Sequence, residues 1–172
     1  MQVFHYSPDK PNWQDYAAHL RRCGQDRWVL NKHSKPLTKE IIFLGIEKDN
    51  AVVASLTIKV QPIVIPATEW AEGMATELKD AAGDPLKETF VQTFFVEEAY
   101  RRHGLGEALQ LEALNATHQL GCCQMRSWSS LDKPANYQLK LKLGFGAHPA
   151  VYETDSGLKV SGIYFVKRVA DL

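Results

Sequence analysis

The stretch from Thr89 to Leu120 most constrains what this chain can fold into. It opens with an apolar run, Phe90-Val91-Gln92-Thr93-Phe94-Phe95-Val96. So short a run, rich in aromatic and β-branched residues, predicts a strand covered on both faces. A polar connector, Glu97 to His103, leads into Gly104-Leu105-Gly106. Apolar residues then recur at Leu105, Ala108, Leu109, Ala113, Ala116 and Leu120, a helical spacing that Gly121 is suited to stop. The unit is therefore strand, basic Gly-rich loop, helix.

That unit has the physics of an anion site. The first turn of a helix carries N–H groups without helical acceptors, and the macrodipole adds positive potential there. Gly104 and Gly106 keep bulk away, and Arg101 and Arg102 add charge at the same place. The plainer alternative is a surface turn whose glycines only ease a tight bend. A Rossmann fingerprint needs a small residue where Leu109 stands, and the phosphate-binding G-x-x-x-x-G-K-[ST] run is absent.

What remains is R-x-x-G-x-G, written Arg101-Arg102-His103-Gly104-Leu105-Gly106, behind a buried strand. It resembles the acetyl-CoA pyrophosphate loop of the GCN5-related N-acetyltransferase (GNAT) superfamily. A second signature supports the resemblance: Leu139-Lys140-Leu141-Lys142-Leu143-Gly144-Phe145 is similar to the family's helix ending in Gly-Phe. The resemblance implies a mixed α/β fold, a mostly antiparallel sheet with a central parallel strand pair around a βαβ acetyl-CoA-binding unit. It covers nearly all of residues 1–172 as one domain, with an inserted segment at about 66–87.

The rest of the chain reads in that order. Gln2–Tyr6 is an expected strand, Trp13 to Leu20 a helix ended by Gly24, and Asp26–His33 a short helix or irregular segment. Ile41–Ile46 and Ala51–Ile65 are expected strands joined by the turn Lys48-Asp49-Asn50, the second bent near Pro62. Trp70, Met74 and Leu78 in the inserted segment are spaced as one helix face. Its acidic residues, Glu69, Glu72, Glu77, Asp80 and Asp84 among them, make it either a flap favouring cationic amines or a solvated helix. Cys123–Trp128 is the strand parallel to the first, Ser129 to Asp132 a loop in which Asp132 caps the helix Lys133–Leu143, and Phe145–Glu153 and Val160–Val169 close the chain.

By resemblance, backbone N–H groups from Arg102 through His103, Gly104, Leu105, Gly106 and Glu107 hold the pyrophosphate, beside Arg101. The Glu107 carboxylate is expected to turn away. The edge of Phe94, Phe95 and Val96 pairs with the pantetheine arm as an added strand, and one N–H there faces the thioester oxygen. The family often places a Tyr four residues before the Gly of its second signature, where this chain has Lys140. Tyr137 lies one turn earlier on the same face and is the candidate proton donor, with Lys140 lowering its pKa. Asn136 is the candidate pantetheine ligand, although the family's Asn aligns with Lys133. The family's strand Glu aligns with Phe90, so Glu88, two residues outward on the same face, is either a general base or a strand-end carboxylate in solvent.

Other chemistries find little support. His33, His118 and His148 have no evident partner, and Ser129 and Ser130 lack a His/Asp pattern. No Cys/His spacing suggests a metal. Twenty basic and twenty acidic residues give net charge zero, which argues against nucleic-acid or anionic-membrane partners and permits a homodimer. Cys23, Cys122 and Cys123 make an odd count, and Met1 to Tyr6 is too polar for a secretory leader, so the cytoplasm is the expected compartment. The expectation is an acetyl-CoA-dependent N-acetyltransferase acting on a primary amine, a small cationic molecule favoured, by direct attack in a ternary complex. The alternatives are a non-catalytic acyl-CoA sensor or scaffold and a nucleotide-binding regulator using the same loop.

Overall fold

The computed structural model describes residues 1–30, 41–65, 76–153 and 157–169. Strands β1 (Phe4–Tyr6), β2 (Ile41–Lys48), β3 (Ala51–Pro62), β6 (Lys87–Val96), β7 (Gln124–Ser130), β8 (Gly146–Glu153) and β9 (Lys159–Arg168) form one sheet in the order β1-β2-β3-β6-β7-β9-β8. Only the β6–β7 pair among these is parallel, joined through helix α3 (Leu105–Gln119). The remaining helices are α1 (Trp13–Arg22), α2 (Asp26–Val29) and α4 (Pro134–Lys142). This is the mixed α/β architecture expected from the sequence.

Strand alternation builds two cores. Leu44, Ile46, Leu56 and Ile58 face α3, whose Leu105, Leu109, Ala113 and Ala116 are buried against them. Tyr6 and Phe43 face the opposite way and, with Val52 beyond a register shift between Ile46 and Glu47, pack under Tyr16 and Leu20 of α1. Each buried aliphatic or aromatic side chain contributes roughly 1.5–3 kcal/mol. The Tyr16 hydroxyl, inside that second core, donates to Leu44 O at 3.2 Å and lies 3.2 Å from Thr57 Oγ1. The predicted β2–β3 hairpin forms, with Asp49 (φ 51°) and Asn50 (φ 61°) both left-handed at its tip. Asn and Asp tolerate that region better than most residues, which suits them to a two-residue turn.

Several local expectations are corrected. The long strand to Ile65 breaks at Ile63, and β4 (Val64–Ile65) pairs instead with β5 (Thr76–Glu77). A helix carrying Leu78 does not form: Leu78 N–H donates to Ile63 O and Leu86 N–H donates to Leu78 O. The cause is the turn between them, where Asp80 Oδ1 accepts the N–H groups of Ala82 and Asp84 and Gly83 adopts φ 92°. Trp70 and Met74, with Glu69 and Glu72, lie outside the described residues, as does His33. Ser129 and Ser130 continue β7 rather than forming a loop, because they pair with Ile163 and Gly162 of β9. Asp132 does not cap α4; it accepts from Ser130 Oγ and pairs with Lys133 Nζ.

Candidate active site

The centre of the fold is the point where two parallel strands part. Residues Glu88, Thr89, Phe90 and Val91 of β6 pair with Gln124, Met125, Arg126 and Ser127 of β7. Beyond Val91 and Ser127 the ladder stops, yet β6 continues to Val96 against β3 and β7 continues to Ser130 against β9. A register shift between Thr57 and Ile58 leaves Gln92 as the extra residue where the parting begins. The Phe94–Val96 edge is thus unpaired on the β7 side among the described residues. Gln92 Oε1 and Thr93 Oγ1 on this segment, and Asn136 Oδ1 on α4, are buried without a hydrogen-bond partner among the described residues. Such atoms carry a desolvation cost that a polar ligand would relieve.

The loop after β6 opens α3 with its donors free. Gly104 is the N-cap in the left-handed region, φ 80°, and supplies no side-chain cap. The N–H groups of Leu105, Gly106 and Glu107 therefore have no helical acceptor. Arg102 is also left-handed at φ 67°, and Arg102 and His103 are exposed. Arg101 Nε donates to Val96 O at 3.0 Å, tying the loop to the strand end. The two glycines have different reasons. Gly104 is needed for its backbone; a Cβ on Gly106 would stand 3.0 Å from Phe94 Cζ, so Gly106 lets the helix start sit against β6. The Glu107 carboxylate is held by Lys142 Nζ at 2.7 Å.

Tyr137 and Lys140 part company despite sharing a helix face. The Tyr137 hydroxyl donates to Ser130 O at 2.8 Å, and its ring packs on Phe165. Lys140 is fully buried; its Nζ donates to Gln110 Oε1 at 2.8 Å and sits 4.3 Å from the Phe145 ring centroid. Burial pulls the Lys140 ammonium down to about 7. The expected pairing of this amine with the Tyr137 hydroxyl is not what forms.

Glu88 corrects the picture of a solvated strand end. It is 0% exposed, and Arg126 donates to its Oε1 through Nε at 2.9 Å and Nη2 at 2.5 Å. Gln61 and Gln124 amides complete the shell at 2.9 and 2.8 Å. Sequence reasoning did not single out Arg126 as the partner of Glu88; the available signal was a charged residue inside a predicted buried strand. It also found no metal-ligand spacing, whereas the fold gathers His19, Cys23 and Glu97 with ligand atoms within 4.8 Å of one another. Arg22 already donates to Glu97 Oε1 at 2.7 Å, so a positive charge serves that carboxylate. Burial, reinforced by Arg22, holds His19 below its usual pKa, and its Nε2 lies 3.0 Å from Ser55 Oγ.

A parted parallel strand pair beside a donor-lined helix start is one half of the assignment. The other half is a sequence profile: that of the acetyltransferase (GNAT) family matches residues 5–145. The chain belongs to the GNAT family. A search of curated proteins by sequence finds no match. Several solved structures are similar in fold. Arabidopsis thaliana NAA60 in complex with acetyl-CoA has TM-score 0.66 at 14% identity, covering 98% of each chain. The aminoglycoside 6'-N-acetyltransferase from Enterococcus faecium has TM-score 0.62 at 14% identity, over 100% of this chain and 99% of that one. The ribosomal-protein-S18-alanine N-acetyltransferase from Escherichia coli has TM-score 0.58 at 14% identity, over 99% and 96%. The family it belongs to is one of acetyltransferases. No helix among its described residues is long and apolar enough to cross a membrane.

Proposed function

We propose that this GNAT enzyme moves the acetyl group of acetyl-CoA to a primary amine on a small molecule by direct attack in a ternary complex. The observation that carries this reading is the free-donor start of α3, set beside the unpaired edge of β6. Acetyl-CoA supplies the activated thioester. The N–H groups of Leu105, Gly106 and Glu107, with Arg102, His103 and Gly104 before them, receive its pyrophosphate, while Arg101 holds the loop in place. The edge of Phe94, Phe95 and Val96 pairs with the pantetheine amides, and Asn136 Oδ1 accepts a further N–H from that arm. One N–H of the same edge lies where the oxyanion develops, and holding both substrates there replaces a chance encounter with a positioned attack.

Two side chains can return a proton to the departing thiolate. Lys140 is favoured over Tyr137, because its ammonium sits near neutrality and its one hydrogen-bond partner is a neutral amide. Tyr137 has its proton committed to Ser130 O. Glu88, whose oxygens already accept four hydrogen bonds, positions Arg126 rather than drawing a proton from the amine. The second reading, a non-catalytic acyl-CoA sensor, draws support from the same two engaged groups, Tyr137 and Glu88. Thiol release from acetyl-CoA across an amine panel separates the readings. Release that needs both enzyme and amine is expected; bound cofactor without release for any amine would leave the sensor.

A further inference from the structure

One step before β6 and β7 part, Phe90 and Arg126 stand side by side across the ladder. The Arg126 guanidinium carbon lies 5.5 Å from the Phe90 ring centroid and 5.1 Å from that of Tyr164. Both hydrogen bonds to Glu88 come from one edge of the guanidinium, Nε and Nη2. The other edge, formed by Nη1 and the outer hydrogen of Nη2, has no partner among the described residues, and the side chain is 26% exposed. Two residues on, Trp128 faces the same way and pairs with Tyr164 across β7–β9. Its indole packs close to Gly162, where a Cβ would come within 2.7 Å of Trp128 Cε2 and Cζ2 and 2.5 Å of Ser129 O. Phe90, Trp128 and Tyr164 are each half-buried, so together they make an aromatic floor around one fixed guanidinium.

A purely structural ion pair explains the Glu88 edge and leaves the outer edge unexplained. A planar fork of two N–H donors matches a carboxylate, and this fork is held in advance by a buried partner and two rings. Little side-chain entropy remains to be lost when a ligand binds it. The position also matters: Arg126 pairs with Phe90 one step before β6 and β7 part, next to the unpaired β6 edge to which the pantetheine arm is assigned above.

We propose that the acceptor is a compact amine that also carries a carboxylate, of the amino-acid type, and that Arg126 receives this carboxylate while the apolar body rests on Phe90, Trp128 and Tyr164. The proposal rests on the N-acetyltransferase reading above and names its substrate class. The acceptor nitrogen forms a C–N bond to the acetyl carbon, the C–S bond of acetyl-CoA breaks, the nitrogen sheds one proton and the coenzyme leaves as its thiol.

The test uses the whole protein with CoA bound and twenty L-amino acids beside their C-terminal amides, read by thermal shift and by thiol release. Some of the acids should raise the unfolding temperature of the CoA complex while their amides do not. With the preferred acid, Arg126→Gln should raise KM roughly thirty-fold with a smaller change in kcat. The ratio of acid to amide kcat/KM should fall toward one. Arg126→Lys, which keeps a charge for Glu88 but lacks the fork, should recover folding and only part of the discrimination. Amides equal to or better than acids would overturn the proposal, as would acids that bind no more weakly to Arg126→Gln or to Arg126→Lys. Binding by none of the acids would overturn it too, even if neutral amines turn over. The acetyl-CoA shift alone reports on the underlying acetyltransferase reading, so the two failures are distinguishable. Should Arg126→Gln fail to fold, the acid and amide series on the unaltered protein still decides.

Discussion

Lys140 has the least ordinary environment among the described side chains. It is an amine at 0% exposure with a neutral partner, and burial lowers its pKa from 10.5 to about 7. Strongly shifted groups cluster where chemistry is done. A lowered folded-state pKa means that the unfolded chain binds the proton up to about pH 10.5 while the native chain sheds it near 7. Stability from this group is therefore fully present above pH 10.5 and is lost as pH falls toward 7. Lys140→Met removes that cost and leaves Gln110 Oε1 without its donor. The net expected result at pH 8 is a gain of about 1–2 kcal/mol, with a shallower rise in stability between pH 7 and 10, measured by urea unfolding. The same variant should lose kcat by about a hundredfold and lose the fall in kcat above neutral pH. A merely structural lysine would leave that pH limb in place, so the opposed movements of stability and kcat carry the argument.

At the scale of elements, the start of α3 concentrates the design. Gly104 sits at φ 80° with only the Met1 side chain near a built Cβ, at 4.0 Å, so its requirement is conformational rather than steric. Gly104→Ala should cost about 1 kcal/mol in urea unfolding and weaken acetyl-CoA binding, because the free N–H groups lose their aim. Gly104→Asn should cost less, since Asn tolerates the left-handed region. An equal loss for both variants would point to packing instead. This unit was legible in the sequence because its signals are local: an apolar run, adjacent charges, two glycines and a 3.6-residue period. The β2–β3 hairpin was legible for the same reason. The turn between Leu78 and Leu86 was not, because the pattern of Leu78 with Trp70 and Met74 mimics a helix face while Asp80, Gly83 and Pro85 enforce a turn. Nor were Ser129 and Ser130, whose strand character comes from β9, more than thirty residues later.

At the scale of the whole molecule, the site is made by contacts that no sequence period encodes. Glu88 meets Arg126 across 38 residues and Lys140 meets Gln110 across 30, so the sequence offers Glu88 as a carboxylate in solvent and Lys140 as a neighbour of Tyr137, while the assembled fold buries both with other partners. The parting of β6 from β7 is likewise a property of the assembled sheet, in which β3 and β9 hold the two strands after they stop holding each other. A ligand that fills this gap binds the native state only, and so must stabilise the entire fold. Acetyl-CoA at a hundred times its dissociation constant should add about 2.7 kcal/mol, roughly 5–10 °C in unfolding temperature for a chain of this length. ATP shares the phosphates but has no arm to pair with the Phe94–Val96 edge, so it should give a much smaller shift. Equal shifts would mean that the loop alone is the binding site and would favour the nucleotide-binding regulator. No shift with millimolar acetyl-CoA would reduce the loop to a turn and remove the assigned activity with it. A shift with acetyl-CoA that shrinks in Gly104→Ala and persists in Lys140→Met would separate holding the cofactor from acting on it, since the first belongs to the start of α3 and the second to α4.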